Sequence, residues 1–138
     1  MTLEEAQALV DRGPYARWLG LKVLAFAEDS VEVKATWREE WVANPTYQQT
    51  QGGILAALID FAGDLALVPR LGRFVPTIDM RVDYHRMAKR GDLTVKGRII
   101  KFGRQFSVCE AEIRDGDGEL VASGRGTYAT APPPEKSK

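Results

Sequence analysis

Residues 48–71 read QQTQGGILAALIDFAGDLALVPRL, and this stretch decides the fold. Two glycines open it, apolar residues follow on nearly every side of a helix from Ile54 to Val68, and Pro69 and Gly72 mark its end. A helix that is apolar all round must be buried within the protein. The sequence therefore predicts one central helix with the rest of the chain folded around it.

Asp60 and Asp64 are the only charged residues in this apolar run. Their i, i+4 spacing places both carboxylates on one side of the helix. A buried carboxylate is paired, protonated or retained for chemistry, because burying an unpaired ionised group is costly. We predict a functional role for Asp60, whereas Asp64 is predicted to be partly exposed or structural.

Composition narrows the possible partners. The chain has 138 residues, enough for one domain, and 19 basic residues balance 19 acidic ones. This balance argues against a nucleic-acid or anionic-membrane surface and favours a small molecule or another protein as partner. The single cysteine, Cys109, excludes an intrachain disulfide, and together with the single histidine, His85, it is too little for a zinc site. We expect no metal.

Two further observations concern location. The N-terminus, MTLEEAQ, is acidic and lacks the basic-then-apolar layout of a signal peptide. The apolar run around Asp60 is too short and too charged to span a bilayer. These features predict a cytoplasmic protein with no membrane contact.

The segments flanking the central helix give the domain organisation. Residues 1–20 begin with a capping box, Thr2 with Glu5, and form an accessory helix that ends at Gly13 and Pro14. Residues 21–130 hold the main domain. The tail, 131–138, is predicted to be disordered.

Most of the main domain follows a period of two, which is typical of strands with one wet face. On the predicted apolar faces lie Leu21, Val23 and Ala25 before the helix, and Ile78, Met80, Val82 and Tyr84 after it. Three more strands follow, over 93–102, 105–114 and 119–130, and the DGDG run at 115–118 is expected to be a hairpin turn rather than a calcium loop. The fold class is therefore α+β, with a curved antiparallel sheet wrapped around one buried helix.

Small residues on these strands indicate where the helix packs. Ser107, Cys109 and Ala111 share one face and leave room for it. Glycines at 97, 124 and 126 indicate curvature or close approach of another backbone.

The order of these elements, with Gly52-Gly53 entering the helix and Asp60 inside it, resembles the hotdog-fold acyl-CoA thioesterases of the phenylacetic-acid-degradation type. That family carries an Asn, a loop, His-Gly-Gly, and an acidic residue nine positions after the His. Here Gln51 stands at the His position, Asp60 at the acidic one and Asn44 near that of the Asn. The similarity also extends to residues 77–92, which begin with a hydroxyl residue, Thr77, as in some members.

Thioester chemistry gives these residues a physical reading. Backbone N–H groups at a helix start can stabilise the oxyanion formed when a thioester carbonyl is attacked, because these donors have no partner within the helix. Gly52 lets the ligand approach this backbone closely. Asp60 lies about 12 Å further along the axis, so one chain cannot easily bring both groups to one carbonyl. We therefore expect a site shared between two subunits, in agreement with the dimer that the resemblance implies.

The candidate roles follow from this arrangement. We predict that Asp60 activates water as general base, with direct attack to form an anhydride as the alternative. Thr77 orients the carboxylate or the water, and the Gln51 amide donates a hydrogen bond to the thioester but cannot take up a proton. Asn44 holds the loop or bonds the acyl carbonyl.

The substrate side of the site is expected to bind coenzyme A. Gly53, at the helix entry, and the loop cations Arg86, Lys89, Arg90 and Arg104 are the candidate contacts for its anionic end. Coenzyme A is part of the substrate, so no cofactor is expected. The expected assembly is a dimer, with a tetramer as the next larger state.

One rival function remains open. Gln51 in place of histidine also suits a non-catalytic hotdog protein that binds acyl-CoA as a carrier or sensor. A dehydratase would need a histidine paired with the acid, and His85 lies on the wrong strand for this.

Overall fold

The computed structural model describes residues 1–134 and contains three α-helices and eight strands. The helices are α1 (Leu3–Asp11), α2 (Pro14–Trp18) and α3 (Gly52–Leu71). The strands are β1 (Leu21–Phe26), β2 (Ser30–Ala35), β3 (Val42–Asn44), β4 (Gln49–Thr50), β5 (Thr77–Tyr84), β6 (Leu93–Lys101), β7 (Phe106–Arg114) and β8 (Leu120–Ala129).

Six strands form one antiparallel sheet in the order β1-β2-β6-β7-β8-β5, and β3 and β4 form a separate pair. The strand β5 follows the helix in sequence but lies at one edge of the sheet, where it pairs with the last strand, β8. The predicted architecture of a hairpin, a buried helix and four further strands is therefore confirmed.

Helix α3 packs against the middle of this sheet, with its contacts concentrated on β6, β7 and β8. Half of its 20 residues are buried, as the apolar pattern predicts. Ser107, Cys109 and Ala111 are all buried under it, so their predicted role as a small-residue face is confirmed. The helix runs through Pro69 to Leu71 and ends at Gly72 in the left-handed conformation, so of the two predicted end signals Gly72 is confirmed and Pro69 is wrong.

Two bulges change the predicted apolar faces. In β1 the register shifts between Val23 and Ala25, which exposes Ala25 and lets Phe26 pack on the core. In β5 the register shifts between Thr77 and Asp79, and Ile78 is half exposed. A bulge adds one unpaired residue and so reverses the facing of the residues on one side of it. Both inward assignments, Ala25 and Ile78, are therefore wrong.

The segment before α3 is more than a polar connection. Trp41 is fully buried, and its carbonyl accepts a hydrogen bond from Gln51 N at 2.7 Å. Thr50 N donates to the Ala88 carbonyl at 2.8 Å. These two backbone bonds fix the chain where α3 begins.

The N-terminal segment covers one edge of the sheet. The capping box is confirmed, since Thr2 and Glu5 exchange side-chain to backbone hydrogen bonds. Gln7 of α1 then accepts from Val23 N at 2.8 Å and donates to the Leu21 carbonyl at 3.0 Å. An unpaired strand edge can pair with another chain, and these bonds occupy the first half of the β1 edge.

The turns and the tail complete the chain. Asp115 closes the β7–β8 hairpin by accepting from the N–H groups of Asp117 and Glu119, as expected for a turn. In the tail, Ala131 N donates to the Gln105 carbonyl at 3.2 Å. The rest of the predicted disordered tail includes 135–138, which lie outside the described residues.

At Gly97, β6 and α3 approach each other so closely that no side chain fits between them. A Cβ placed there would overlap the backbone carbonyl of Ala62 in α3. We expect Gly97→Ala to lower the free energy of unfolding by about 1–3 kcal/mol, because the helix and strand must separate. The matched control is Gly116→Ala, which meets open space and should change it by no more than about 0.5 kcal/mol. Denaturant unfolding measures both, and equal midpoints for the two variants would contradict the close approach.

Candidate functional site

Asp60 lies in the middle of α3, half-buried, with its carboxylate directed toward β5. Thr77 Oγ1 donates to Asp60 Oδ1 at 2.6 Å, the only side-chain bond to this carboxylate among the described residues. The predicted pairing of Asp60 with Thr77 is therefore present in the structure. It leaves the other carboxylate oxygen without a protein donor in this part of the chain.

The bulge in β5 makes this contact possible. Thr77 pairs with Tyr128, whose side chain is buried beneath the helix, and the shift at Ile78 puts Thr77 on the same face. Without the extra residue, regular alternation would place Thr77 with the exposed Asp79. The bulge thus places the Thr77 hydroxyl within hydrogen-bonding distance of Asp60.

Tyr128 supports the helix at the same point. Its hydroxyl donates to the Asp60 carbonyl at 3.1 Å, and Gly63 on the helix leaves the space that the ring fills. Burial, followed by the negative charge of Asp60, raises the pKa of Tyr128 above its ordinary value. Tyr128 is therefore a neutral hydrogen-bond donor, and the sequence pattern gave no signal of this role.

Asp64 lies one helical turn beyond Asp60 and is also partly buried. Its Oδ1 accepts a hydrogen bond from Val75 N at 3.0 Å, in the segment that joins α3 to β5. Burial raises the pKa of Asp64 to about 7, and the charge of Asp60 adds to this rise, while the Val75 bond opposes it. The predicted structural role agrees with this contact.

The start of α3 is the second part of the site. Gln51 occupies the N-cap position, exposed and without a side-chain capping bond, so the first N–H groups of the helix keep their donor capacity. The Tyr84 hydroxyl donates to the Gly52 carbonyl at 2.9 Å, and its ring lies 3.4 Å from where a Gly52 Cβ would be. Sequence reasoning missed Tyr84 as a neighbour of Gly52.

A surface cavity of about 300 Å³ opens beside this helix start. Its lining comes from the helix entry and the end of β5: Gln49, Thr50, Gly52, Leu55, Tyr84, His85, Arg86, Met87 and Ala88. A larger groove of about 440 Å³ lies on the opposite face of the sheet, among charged residues that include Glu32, Lys96 and Glu110. It contains none of the predicted site residues, so the smaller cavity is the better candidate for a ligand.

The predicted cations divide between two places. Arg86, Lys89 and Arg90 follow β5 near the helix start, and Arg86 forms an ion pair with Glu119 at 3.2 Å. Arg104 lies in the β6–β7 turn, whose Phe102 stacks under Arg70 at the far end of α3. Within one chain, Arg104 is therefore separate from the other three.

Asn44 forms hydrogen bonds with neighbouring residues in its own loop. Its side-chain oxygen accepts from Thr46 N at 2.9 Å, and its carbonyl accepts from Gln48 N at 2.9 Å. Both bonds belong to the turn between β3 and β4. These bonds agree with the loop-holding role predicted for Asn44, while its bond to the acyl carbonyl stays a prediction.

The remaining titratable candidates are His85, which lines the cavity beside the helix start, and Cys109, which is buried in the core. His85 is exposed, and its Nε2 is 2.7 Å from Ser123 Oγ. Burial raises the pKa of Cys109 to about 12, so its thiol stays protonated. Within residues 1–134, no group of three or more His, Cys, Asp and Glu side chains is placed to hold a metal ion. No helix in this range is long and apolar enough to cross a membrane.

Gly52 and Asp60, the two residues predicted to carry the chemistry, lie apart within one chain. They stand eight residues apart on the same helix, which corresponds to about 12 Å along its axis. A donor at a helix start and a carboxylate held by a hydroxyl suit attack of water on a carbonyl.

Comparison with known proteins agrees with this chemistry. Residues 51–122 match the sequence model of the thioesterase superfamily. The chain belongs to this superfamily, and its fold is the hotdog fold of thioesterases.

Relatives of known structure cover almost the whole chain. A crystallised member of the thioesterase superfamily is 48% identical with a TM-score of 0.89, and the alignment covers 92% of this chain and 96% of that one. A thioesterase of Haemophilus influenzae is 27% identical with a TM-score of 0.82, over 94% of this chain and 90% of its own. The PaaI protein of Escherichia coli, at 23% identity and a TM-score of 0.81, shares the fold.

A relative with a named activity is more distant in sequence. The medium/long-chain acyl-CoA thioesterase YigI of Salmonella typhimurium is 26% identical over 149 aligned positions, which cover 93% of this chain and 96% of that protein. Membership of the superfamily and these relatives support hydrolase activity.

Asp64 gives the site a measurable pH dependence of stability. Its pKa is raised from 3.8 to about 7 on folding, so between these values the folded state holds a proton that the unfolded state has lost. Stability from this group therefore falls as pH rises through that window. We expect Asp64→Asn, which stays neutral, to gain stability relative to wild type from pH 4 to pH 7, by on the order of a few kcal/mol, with no further change above pH 8.

Denaturant midpoints across this pH range measure the difference, with Asp79→Asn as control because Asp79 is exposed on the same sheet. A constant difference between Asp64→Asn and wild type would mean that Asp64 stays ionised.

Proposed function

We propose that this protein is an acyl-CoA thioesterase, which hydrolyses an acyl-CoA thioester to the free acid and coenzyme A. The observation that carries the proposal is Asp60, a half-buried carboxylate held by Thr77 on a helix whose Gly52 and Gly53 N–H groups have no acceptor among the described residues. The named activity of the YigI relative supports acyl-CoA as the substrate class.

In the proposed reaction, Asp60 accepts a proton from a water molecule that attacks the thioester carbonyl carbon. The carbonyl oxygen becomes an oxyanion and receives the Gly52 N–H, a type of contact that lowers the barrier by about 3–4 kcal/mol. The carbon–sulfur bond then breaks, and the coenzyme A thiolate takes up the proton. No cofactor enters this reaction.

The proposed site lies between two subunits. Gly52 of one chain and Asp60 of another can meet when two α3 helices run antiparallel, whereas the spacing of about 12 Å separates them in one chain. Of the two sheet edges, Gln7 occupies the first half of β1, while β5 carries the exposed side chains of Ile78 and Tyr84. We propose that β5 pairs with β5 of the second chain to form a dimer.

Gln51 and the loop cations complete the proposed site. The Gln51 side chain is exposed at the helix start, where its amide can donate to the thioester in place of an imidazole. Gly53, Arg86, Lys89 and Arg90 lie near the same entry, and Arg104 can contribute only from a different direction. In this proposal, these five residues supply the contacts for the anionic part of coenzyme A.

The first test measures free-thiol release from aryl, short, medium and long acyl-CoA esters. We expect Asp60→Asn to fold and to lose turnover by at least about a hundredfold, because general-base help contributes roughly 10²–10⁴ in rate. Asp117→Asn, an exposed change of the same kind in the β7–β8 turn and away from β5, should keep wild-type turnover. Unchanged turnover in Asp60→Asn would refute the mechanism, and binding without thiol release from any ester would favour the carrier or sensor.

A second test addresses the shared site. Gly52→Pro removes the N–H, and the fold should tolerate it because proline is accepted at the first helical position and Gln51 has a ψ of 135°, which suits a residue before proline. We expect this variant to lose about 10²–10³ in kcat.

Mixing the two inactive variants then distinguishes one chain from two. Co-refolded Gly52→Pro and Asp60→Asn chains form heterodimers in which one of the two sites is intact, so about a quarter of wild-type activity should return in an equal mixture. If each site lies within one chain, the mixture stays inactive.

A further inference from the structure

Two carboxylates on one side of α3 each accept a hydrogen bond from the segment that leads into β5. Asp60 accepts from the Thr77 hydroxyl at 2.6 Å, and Asp64 accepts from the Val75 backbone N–H at 3.0 Å. The two contacts lie side by side, and both cross from the helix to the same segment.

The spacing of the two contacts matches on both sides. Four helical residues, from Asp60 to Asp64, advance about 6 Å along the axis. Val75 precedes Pro76, which favours an extended backbone, and two extended residues from Val75 to Thr77 would span about 6.7 Å. The segment therefore runs beside the helix in the opposite direction, and a bond at Asp64 brings the residue two positions later level with Asp60.

We propose that Asp64 is a positioning residue, which fixes the register of the β5 entry so that the Thr77 hydroxyl meets the Asp60 carboxylate. This inference rests on the proposed function for its kinetic consequence, but its structural content stands without it. The bulge at Ile78 follows directly, so the Val75 bond also fixes where the irregular part of β5 begins.

Two other contacts hold the same segment, one apolar and one that reaches the helix only through β8, whose Tyr128 hydroxyl bonds the Asp60 carbonyl. Phe74 packs on Phe61 with 5.6 Å between ring centroids, and the Pro76 carbonyl accepts from Ala129 N at 2.9 Å. The first contact is apolar and tolerates sliding, and the second joins the segment to β8 rather than to the helix. The Asp64 bond is the polar link between α3 and this segment next to Thr77.

This inference restricts which residues can replace Asp64. Position 64 needs an acceptor of the length of Asp, and charge is not required. Asp64→Asn keeps an oxygen for Val75 N–H, whereas Asp64→Leu fills the same space without an acceptor. The two variants therefore separate the hydrogen bond from both charge and packing.

The kinetic test is a double-mutant cycle on thiol release. We expect Asp64→Leu to lower kcat about tenfold with little change in KM, Asp64→Asn to keep kcat within about threefold, and Thr77→Val to lose about as much as Asp64→Leu. In the Thr77→Val background, Asp64→Leu should cost less than about threefold more, because the hydroxyl that it positions is already absent. Equal losses from Asp64→Leu in both backgrounds, or an Asp64→Asn variant as slow as Asp64→Leu, would overturn the inference.

A structural measurement decides the inference independently of activity. In crystals of Asp64→Leu we expect the Thr77 Oγ1 to Asp60 Oδ1 separation to exceed hydrogen-bonding distance, whereas Asp64→Asn should retain about 2.6 Å. An unchanged separation in Asp64→Leu would refute the positioning role. If Asp64→Leu fails to fold, the Asp64→Asn crystals decide alone: an amide turned away from Val75 with the Thr77 contact intact would refute it.

The proposed function and this inference fail in different ways. Wild-type protein that releases no thiol from any ester refutes the thioesterase, while the crystallographic comparison still decides the role of Asp64. Turnover that depends on Asp60 but not on Asp64 retains the thioesterase and refutes the inference.

Discussion

The burial of α3 inside a curved sheet is the constraint on which the rest of the structure depends. Its apolar side chains need cover on several sides, and small residues at Gly97, Cys109 and Ala111 let β6 and β7 come close enough to give it. The same burial sets conditions for the two aspartates, because each carboxylate needs a donor from the surrounding sheet. Thr77 and Val75 supply these donors from one segment. Core packing and site geometry therefore depend on the same contact between α3 and β5.

The sequence was sufficient for this central arrangement because its signals are strong. An all-apolar helix with two charges, period-two strands and a face of small residues allow few packings, and the predicted helix, the strands after it and the Asp60–Thr77 pairing are all present. The resemblance to hotdog thioesterases carried the assignment of Thr77, since nothing in a linear pattern places position 77 beside position 60.

The features that the sequence did not predict correctly share a physical origin. Regular alternation predicts the facing of Ile78 and Ala25 only if the pairing has no bulge, and a bulge depends on the neighbouring strands rather than on local sequence. Tyr84 and Tyr128 were not recognised as partners of backbone carbonyls on α3 for a similar reason, because such contacts depend on how the sheet curves. The residues that position the site are thus harder to predict than those that carry its chemistry.

The two edges of the sheet also differ in a way that bears on the proposed dimer. At β1 the Gln7 side chain satisfies one N–H and one carbonyl, which occupies the first half of that edge. At β5, pairing within the described residues occurs only with β8, so its outer edge is open. Thr77 lies in this open strand, so the strand that orients Asp60 is the one a second chain would join. A dimer formed there would bring the start of one α3 toward the middle of the other, where Asp60 and its hydroxyl partner lie.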